Sequence, residues 1–430
     1  MKKLYALILV MLSLFVLVSC AKKEATTEAP TVVGATVFSE ESTEIPSEKE
    51  SETAPTSGSV TVPSEESTEM PPEKESEATS TEESGEKEVQ PKVLPFTAGL
   101  NINGMETFLS DNPYGFFERG IDNITKESTY TDIKSKGFDY VRIPINFYTI
   151  YYEAPTGKYK YTTEQIMGYL DKAIELATKH DLYVMIDFHG WFYIGEEKDD
   201  YEQFLYCWTQ VANRYKDASD KVIFELLNEP WYSYGYPLPY LPDSKLYEMQ
   251  NEAVRIIRST GSNNATRLLV LCTANANKAS KLPGLVLPKD DNIAVAIQIY
   301  EPLAFTNQGF SWAGYGGQTT TLEEQGGFEK ATSSDFAQIK KFMAANPKVP
   351  IVLNEFGLNL GKATAADINT YLSGITSFCK ENNIPWAYWE YLGGYNRDGS
   401  WSLYRKMSYF GGYVWDETAL KALFAPYSEP

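Results

Sequence analysis

The chain has 430 residues, 43% of them hydrophobic and 14% aromatic, enough material for a large core and one or two domains. The net charge of −20 divides unevenly: residues 1–20 carry two lysines, residues 21–95 carry 18 glutamates against 6 lysines, and residues 96–430 carry 40 acids against 30 bases. The length excludes a disulfide-stapled mini-protein, and the charge argues against a nucleic acid partner, because both longer segments repel a polyanion.

Lys2 and Lys3 precede an apolar run from Leu4 to Val18, too short and too early for an ordinary spanning helix but suited to a signal peptide, so export is expected. The run ends Leu17-Val18-Ser19-Cys20, which resembles the lipobox of bacterial lipoproteins. That resemblance implies a leader over 1–20, lipidation of Cys20 and attachment to a membrane, each buried CH₂ contributing about 0.8 kcal/mol. An unlipidated signal peptide or N-terminal anchor is the alternative.

Residues 21–95 are rich in Glu, Ser, Thr and Pro with Phe38 as the single aromatic residue, so too little apolar surface is present to offset the entropy of ordering. A disordered spacer is expected. Ser39–Glu52 recurs as Ser64–Glu77 with 12 of 14 positions identical, a duplicated low-complexity tract without an apolar face to stack. Self-repelling charge and scattered proline extend it to on the order of 100 Å.

Beyond Phe96 short β-rich runs alternate with amphipathic stretches, the pattern of parallel strands joined by helices. The predicted strands are Ala98–Ile102, Tyr140–Asn146, Tyr183–Phe188, Val222–Leu227, Arg267–Thr273, Ile293–Ile299, Pro350–Asn354 and Pro385–Trp389. Helical spacing of apolar residues marks Thr162–Lys179, Asp200–Asp217, Ser244–Ser259, Ser334–Ala345 and Thr364–Glu381. Eight strand–helix units in residues 96–430 fit a single (β/α)₈ TIM barrel, an α/β fold whose functional groups sit at strand C-termini. An open doubly wound sheet is the alternative, weakened by the lack of Gly-x-Gly-x-x-Gly after the first strand.

In a barrel the polar residues at strand ends converge on one cup. Strand two carries Arg142, strand three ends at His189, strand four at Asn228-Glu229-Pro230, strand six at Gln298 and Tyr300, strand seven at Glu355 and strand eight at Trp389. Glu229 and Glu355 end strands on opposite sides of the ring and so face each other. Facing carboxylates are what cleavage of a glycosidic bond requires, one as proton donor to the leaving oxygen and one to attack or stabilise the sugar cation. Alternation along strand four also turns Glu225 inward, where it reads as a deeper, paired acid, and turns Asn228 away from Glu229 unless the strand end is irregular. His180 and His189 are the only histidines, and Cys20, Cys207, Cys272 and Cys379 form no Cys-x-x-Cys pair, so a zinc site is not expected. The last three cysteines read as buried thiols, at least one of them unpaired.

Val222–Pro230, with Val141-Arg142-Ile143-Pro144, Asp187-Phe188-His189-Gly190, Asn354-Glu355-Phe356-Gly357 and Ala387-Tyr388-Trp389-Glu390, resembles glycoside hydrolase family 5 over nearly all of Phe96–Ala425. The resemblance implies a retaining double displacement on β-linked polysaccharides, with no metal or organic cofactor. By position Glu229 resembles the acid/base and Glu355 the nucleophile. Arg142 is then placed to hydrogen-bond Glu355 and keep it ionised, Asn228 to bind the 2-hydroxyl in subsite −1, Tyr300 to hold Glu355, His189 to line the subsite and Trp389 to floor it. One position departs from the family pattern: Gln298-Ile299-Tyr300 stands where His-x-Tyr is usual, and an amide cannot titrate. The aromatic clusters Trp191–Tyr193, Trp231–Tyr236 and Phe305–Tyr315 are candidate walls of a polysaccharide cleft or packing for the loops. The function expected is an endo-β-1,4-glucanase, monomeric and lipid-anchored on the cell surface. A β-mannanase or xyloglucanase of the same family, and a non-catalytic polysaccharide-binding protein, are the alternatives.

Overall fold

A computed structural model describes residues 90–105, 116–147, 162–189, 198–230, 243–393, 399–406, 408 and 410–428. The leader with Cys20, the spacer up to residue 89 and the aromatic clusters 191–193 and 231–236 lie outside the described residues. Of the two units into which the chain divides, Met1–Glu82 lies wholly outside them, and the fold is that of Glu83–Pro430.

Eight parallel strands close into a barrel: β1 Ala98–Asn101, β2 Tyr140–Ile145, β3 Tyr183–Phe188, β4 Val222–Glu225, β5 Leu269–Cys272, β6 Ile293–Ile299, β7 Ile351–Phe356 and β8 Trp386–Tyr388. The ring closes where Ala98 of β1 pairs with Trp386 of β8. Helices α1 Phe116–Thr125 and α2 Glu127–Ser135 join β1 to β2. After β2, β3 and β4 come α3 Thr163–Lys179, α4 Lys198–Tyr215 and α5 Asp243–Ser259. After β6, β7 and β8 come α6 Phe328–Ala345, α7 Ala365–Glu381 and α8 Glu417–Phe424. The expected TIM barrel is therefore present.

Local sequence explains the helices that frame it. Thr162 caps α3 in a reciprocal box with Gln165, and Ile166, Leu170, Ala173 and Ala177 recur on the face that packs against the barrel. Thr364 and Asp416 cap α7 and α8 by accepting the Asp367 and Ala419 N–H groups. The expectation of a helix after every strand fails between β5 and β6. Pro283, Gly284 and Pro288 break the periodicity there, and the link is a turn at Asn275–Asn277 followed by a 3₁₀ stretch, Ala279–Gly284.

Strand alternation sorts the barrel interior into layers. Tyr140, Met185, Ile223, Val270, Ala294, Val352 and Ala387 fill the N-terminal half, and Leu94 and Phe96 close its floor, the Phe96 ring lying 4.8 Å from Tyr140 and 5.3 Å from Tyr183. Lys92 N–H donates to Pro347 O at 2.8 Å. The folded segment thus begins before Phe96, because the chain ahead of β1 plugs the barrel. Two residues further along the strands the interior turns polar, with Arg142, Asp187 and Glu225 all completely buried. Cys207, Cys272 and Cys379 are buried free thiols, as expected.

Candidate active site

Arg142 on β2 is the hub of the polar layer. Its Nε and Nη2 grip Glu225 at 2.6 and 2.8 Å, Nη1 donates to Glu355 Oε1 at 2.6 Å and to Asn101 Oδ1 at 2.9 Å, and Nη2 also reaches Asn228 Oδ1 at 2.9 Å and Asp187 Oδ2 at 2.8 Å. Burial opposes its charge, but Asp187, Glu225 and Glu355 more than compensate and hold its pKa well above the usual value. Glu225 is thus the deeper paired acid, further held by Asn354 Nδ2 at 2.6 Å.

Two irregularities bring the remaining groups inward. Pairing of β6 with β7 runs Ile297 to Leu353 and then Gln298 to Glu355, so β7 has one extra residue at Asn354. That bulge lets consecutive residues, Asn354 and Glu355, both serve the interior. On the other side the β4 ladder stops at Glu225 rather than at Leu227, and Glu229 takes a left-handed φ of 36°. Alternation is broken between Glu225 and Glu229, which removes the conflict between Asn228 and Glu229 that strict alternation creates. Glu229 is half-buried at the mouth, on the far side of the ring from Glu355. A non-glycine residue held at positive φ is sparsely populated backbone, tolerated where the surroundings impose it.

Glu355, 3% exposed, also accepts the Tyr300 hydroxyl at 3.0 Å through Oε2. Arg142 is expected to keep it ionised, and its charge does pull in that direction. The contact exists, but burial and the charge of Glu229 outweigh the guanidinium and push the carboxyl up to about 7. Burial likewise pushes Asp187 and Glu225 up to about 7 against the pull of Arg142.

Asn228 links the hub to His189. Its Oδ1 accepts from Arg142 and from Gln298 Nε2 at 3.0 Å, and its Nδ2 lies 3.1 Å from His189 Nε2. His189 Nδ1 is 2.7 Å from Asp187 Oδ2, so the ring carries its proton on Nδ1 and accepts at Nε2. The ring stacks on Trp389, centroids 6.0 Å apart and planes 20° apart. Every sequence-predicted site residue in the described part therefore gathers at one end of the barrel. Sequence reasoning quoted Asp187 in a motif but gave it no part. It also missed Trp401, whose ring lies 6.4 Å from Tyr300, 4.5 Å from Phe310 and 5.5 Å from Trp312. The third aromatic cluster divides: Phe305 is completely buried in the core, whereas Trp312 is 69% exposed beside Trp401.

The profile of Cellulase (glycosyl hydrolase family 5) matches residues 89–393. The chain belongs to glycoside hydrolase family 5. Among curated family members it is 30% identical to Cellodextrinase A of Ruminococcus flavefaciens over 50% of this chain and 61% of that protein. It is 27% identical to Endoglucanase C of Acetivibrio thermocellus over 63% of this chain and 74% of that protein. The chain thus spans less than two thirds of the first of these relatives. Among solved structures it resembles the cellulose synthase subunit Z of Clostridioides difficile, with a TM-score of 0.61 and 28% identity over 76% of this chain and 99% of that one. Among the described residues no group of His, Cys, Asp or Glu is arranged to hold a metal ion.

Proposed function

We propose that this family 5 glycoside hydrolase is an endo-β-1,4-glucanase that cleaves β-glucans with retention, Glu355 acting as nucleophile and Glu229 as acid/base. The observation that carries the reading is the pair of carboxylates at the ends of β4 and β7, one of them buried and held by Arg142 and Tyr300. Glu355 attacks the anomeric carbon while Glu229 protonates the departing oxygen. Glu229 then takes a proton from the water that releases the glycosyl-enzyme. Arg142 and Tyr300 fix both Glu355 oxygens, so attack needs no further orientation of the carboxylate. The second Nδ2 hydrogen of Asn228 is the donor for the 2-hydroxyl, a contact that tightens as positive charge develops on the sugar. His189 and Trp389, stacked together, wall the subsite, and the exposed ring of Trp312 offers a face for a further sugar.

The N-terminal region completes the proposal. The Leu17–Cys20 motif supports export and lipid attachment, and the acidic tract supports a spacer holding a monomeric barrel away from the membrane. Cys20→Ala should release the protein from the membrane fraction. Activity is tested by reducing-sugar release from carboxymethylcellulose, mixed-linkage glucan, xyloglucan and glucomannan. Cleavage of the unbranched glucans, lost by several orders of magnitude in Glu355→Gln, is the expected result. Inactivity on both unbranched glucans defeats the glucanase assignment in favour of mannan or xyloglucan, and binding without any cleavage defeats the hydrolase reading.

A further inference from the structure

We propose that Gln298 is a positioning residue for glycoside cleavage, locking the Asn228 carboxamide so that only its N–H side faces the sugar. The inference rests on the hydrolase reading above. Arg142 can only donate, and this sets the direction of every bond around it. Asn228 must present Oδ1 to Arg142 Nη2, and Gln298 can then approach that oxygen only with its own N–H, as it does at 3.0 Å.

Arg142 alone fills only one acceptor site of that oxygen. Its Nη2 gives its two hydrogens to Glu225 Oε1 at 2.8 Å and Asn228 Oδ1 at 2.9 Å, with Asp187 Oδ2 beside them as an ion-pair partner. Gln298, 3% exposed on β6, supplies the second hydrogen that Asn228 Oδ1 accepts. With both acceptor sites of Oδ1 filled, Nδ2 is turned to His189 Nε2, and its second hydrogen is left for the substrate. An amide does this at every pH, although it stands among Arg142 and Asp187 on β2 and β3, His189 after β3, Glu225 and Glu229 on or after β4, and Glu355 on β7.

The experiment uses the full mature chain with aryl β-cellobiosides and their 2-deoxy analogues, the ring next to the aryl group lacking its 2-hydroxyl. If Gln298 acts through Asn228 on that hydroxyl, Gln298→Leu lowers kcat about 10- to 100-fold with KM little changed on the ordinary substrate. On the 2-deoxy substrate the loss shrinks to less than about threefold. Equal losses on both substrates, or a loss below threefold on the ordinary one, overturn the proposal.

Gln298→Glu gives a second reading that survives if the leucine variant does not fold. Ionised, it meets Asn228 Oδ1 with no hydrogen to donate. Protonated, it supplies an O–H in place of the amide. Its activity relative to the parent should rise as pH falls, whereas a purely structural defect keeps the ratio flat and refutes the lock. If the parent cleaves neither substrate, the hydrolase reading fails and takes this inference with it.

Discussion

Replacing Glu229 by glutamine should abolish the alkaline limb of the pH profile on a substrate that needs no acid catalysis. Glu355 is pushed up to about 7 by burial, with the charge of Glu229 adding to it and Arg142 at 2.6 Å opposing it. Two carboxyls coupled in this way lose protons in two steps that belong to the pair, and the upper step is the one taken against a neighbour already charged. For a retaining pair about 5.5 Å apart and an effective dielectric near 20, the repulsion is about 3 kcal/mol. That separates the two steps by about two pH units. On the proposed mechanism the singly protonated pair is the working form, so kcat/KM on an oligosaccharide should be bell-shaped, with its alkaline limb near 7. Glutamine at 229 leaves one ionisable carboxyl with a neutral neighbour. On 2,4-dinitrophenyl β-cellobioside, whose leaving group departs unprotonated, kcat/KM should then rise once, as Glu355 ionises, and stay level to pH 9. Dinitrophenolate release across that range is the assay. A persisting fall above pH 7 in Glu229→Gln would show that the upper step does not belong to this pair.

Three further outcomes follow from the packing. Arg267 donates to Asn264 Oδ1 and to the carbonyls of Tyr215, Ala218, Ser219 and Val222 at the N-terminal end of the barrel, so Arg267→Met should cost about 3 kcal/mol in urea unfolding. Its kcat per folded molecule should be unchanged, because the site lies at the other end. A chain starting at residue 90 should melt like the parent, whereas one starting at 96 loses Leu94 from the floor and should be less stable by about 2–4 kcal/mol, read by calorimetry. Gly357→Ala places a methyl 2.5 Å from the Trp389 carbonyl oxygen and must displace that backbone, so kcat/KM should fall about tenfold even in molecules that fold.

Much of this was legible in the sequence because barrels impose simple periodicities. Alternation along β2 to β4 puts Arg142, Asp187 and Glu225 one layer above Tyr140, Met185 and Ile223, and a period of two in the sequence shows as much. What period could not show is where it breaks. The extra residue at Asn354 and the left-handed turn at Glu229 are compensated only by neighbouring strands, so no local residue signals them. Trp401 was missed for a different reason: it lies beyond β8 in sequence and reaches Tyr300 only through the fold. Leu94 was assigned to the spacer by its surroundings, although its side chain belongs to the barrel floor.

The polar layer that equips the site also sets how stability varies with pH. One guanidinium faces Asp187, Glu225 and Glu355, and burial pushes all three carboxyls up to about 7, from ordinary values of 3.8 and 4.5. Between those limits the folded chain holds more protons than the unfolded one, so its stability is fullest below about pH 4 as far as these groups are concerned and declines as pH rises through 7. Arg142 limits the decline by stabilising the charged forms. Arg142→Met should therefore unfold at lower urea than the parent, with the gap widest above pH 7 and narrowing toward pH 5, where the acids can be neutral. A gap independent of pH would mean that the guanidinium stabilises the barrel by packing alone. The same hub explains why a lysine is a poor replacement: a single ammonium cannot span Glu225, Glu355 and Asn101 at once, as the fork of Arg142 does.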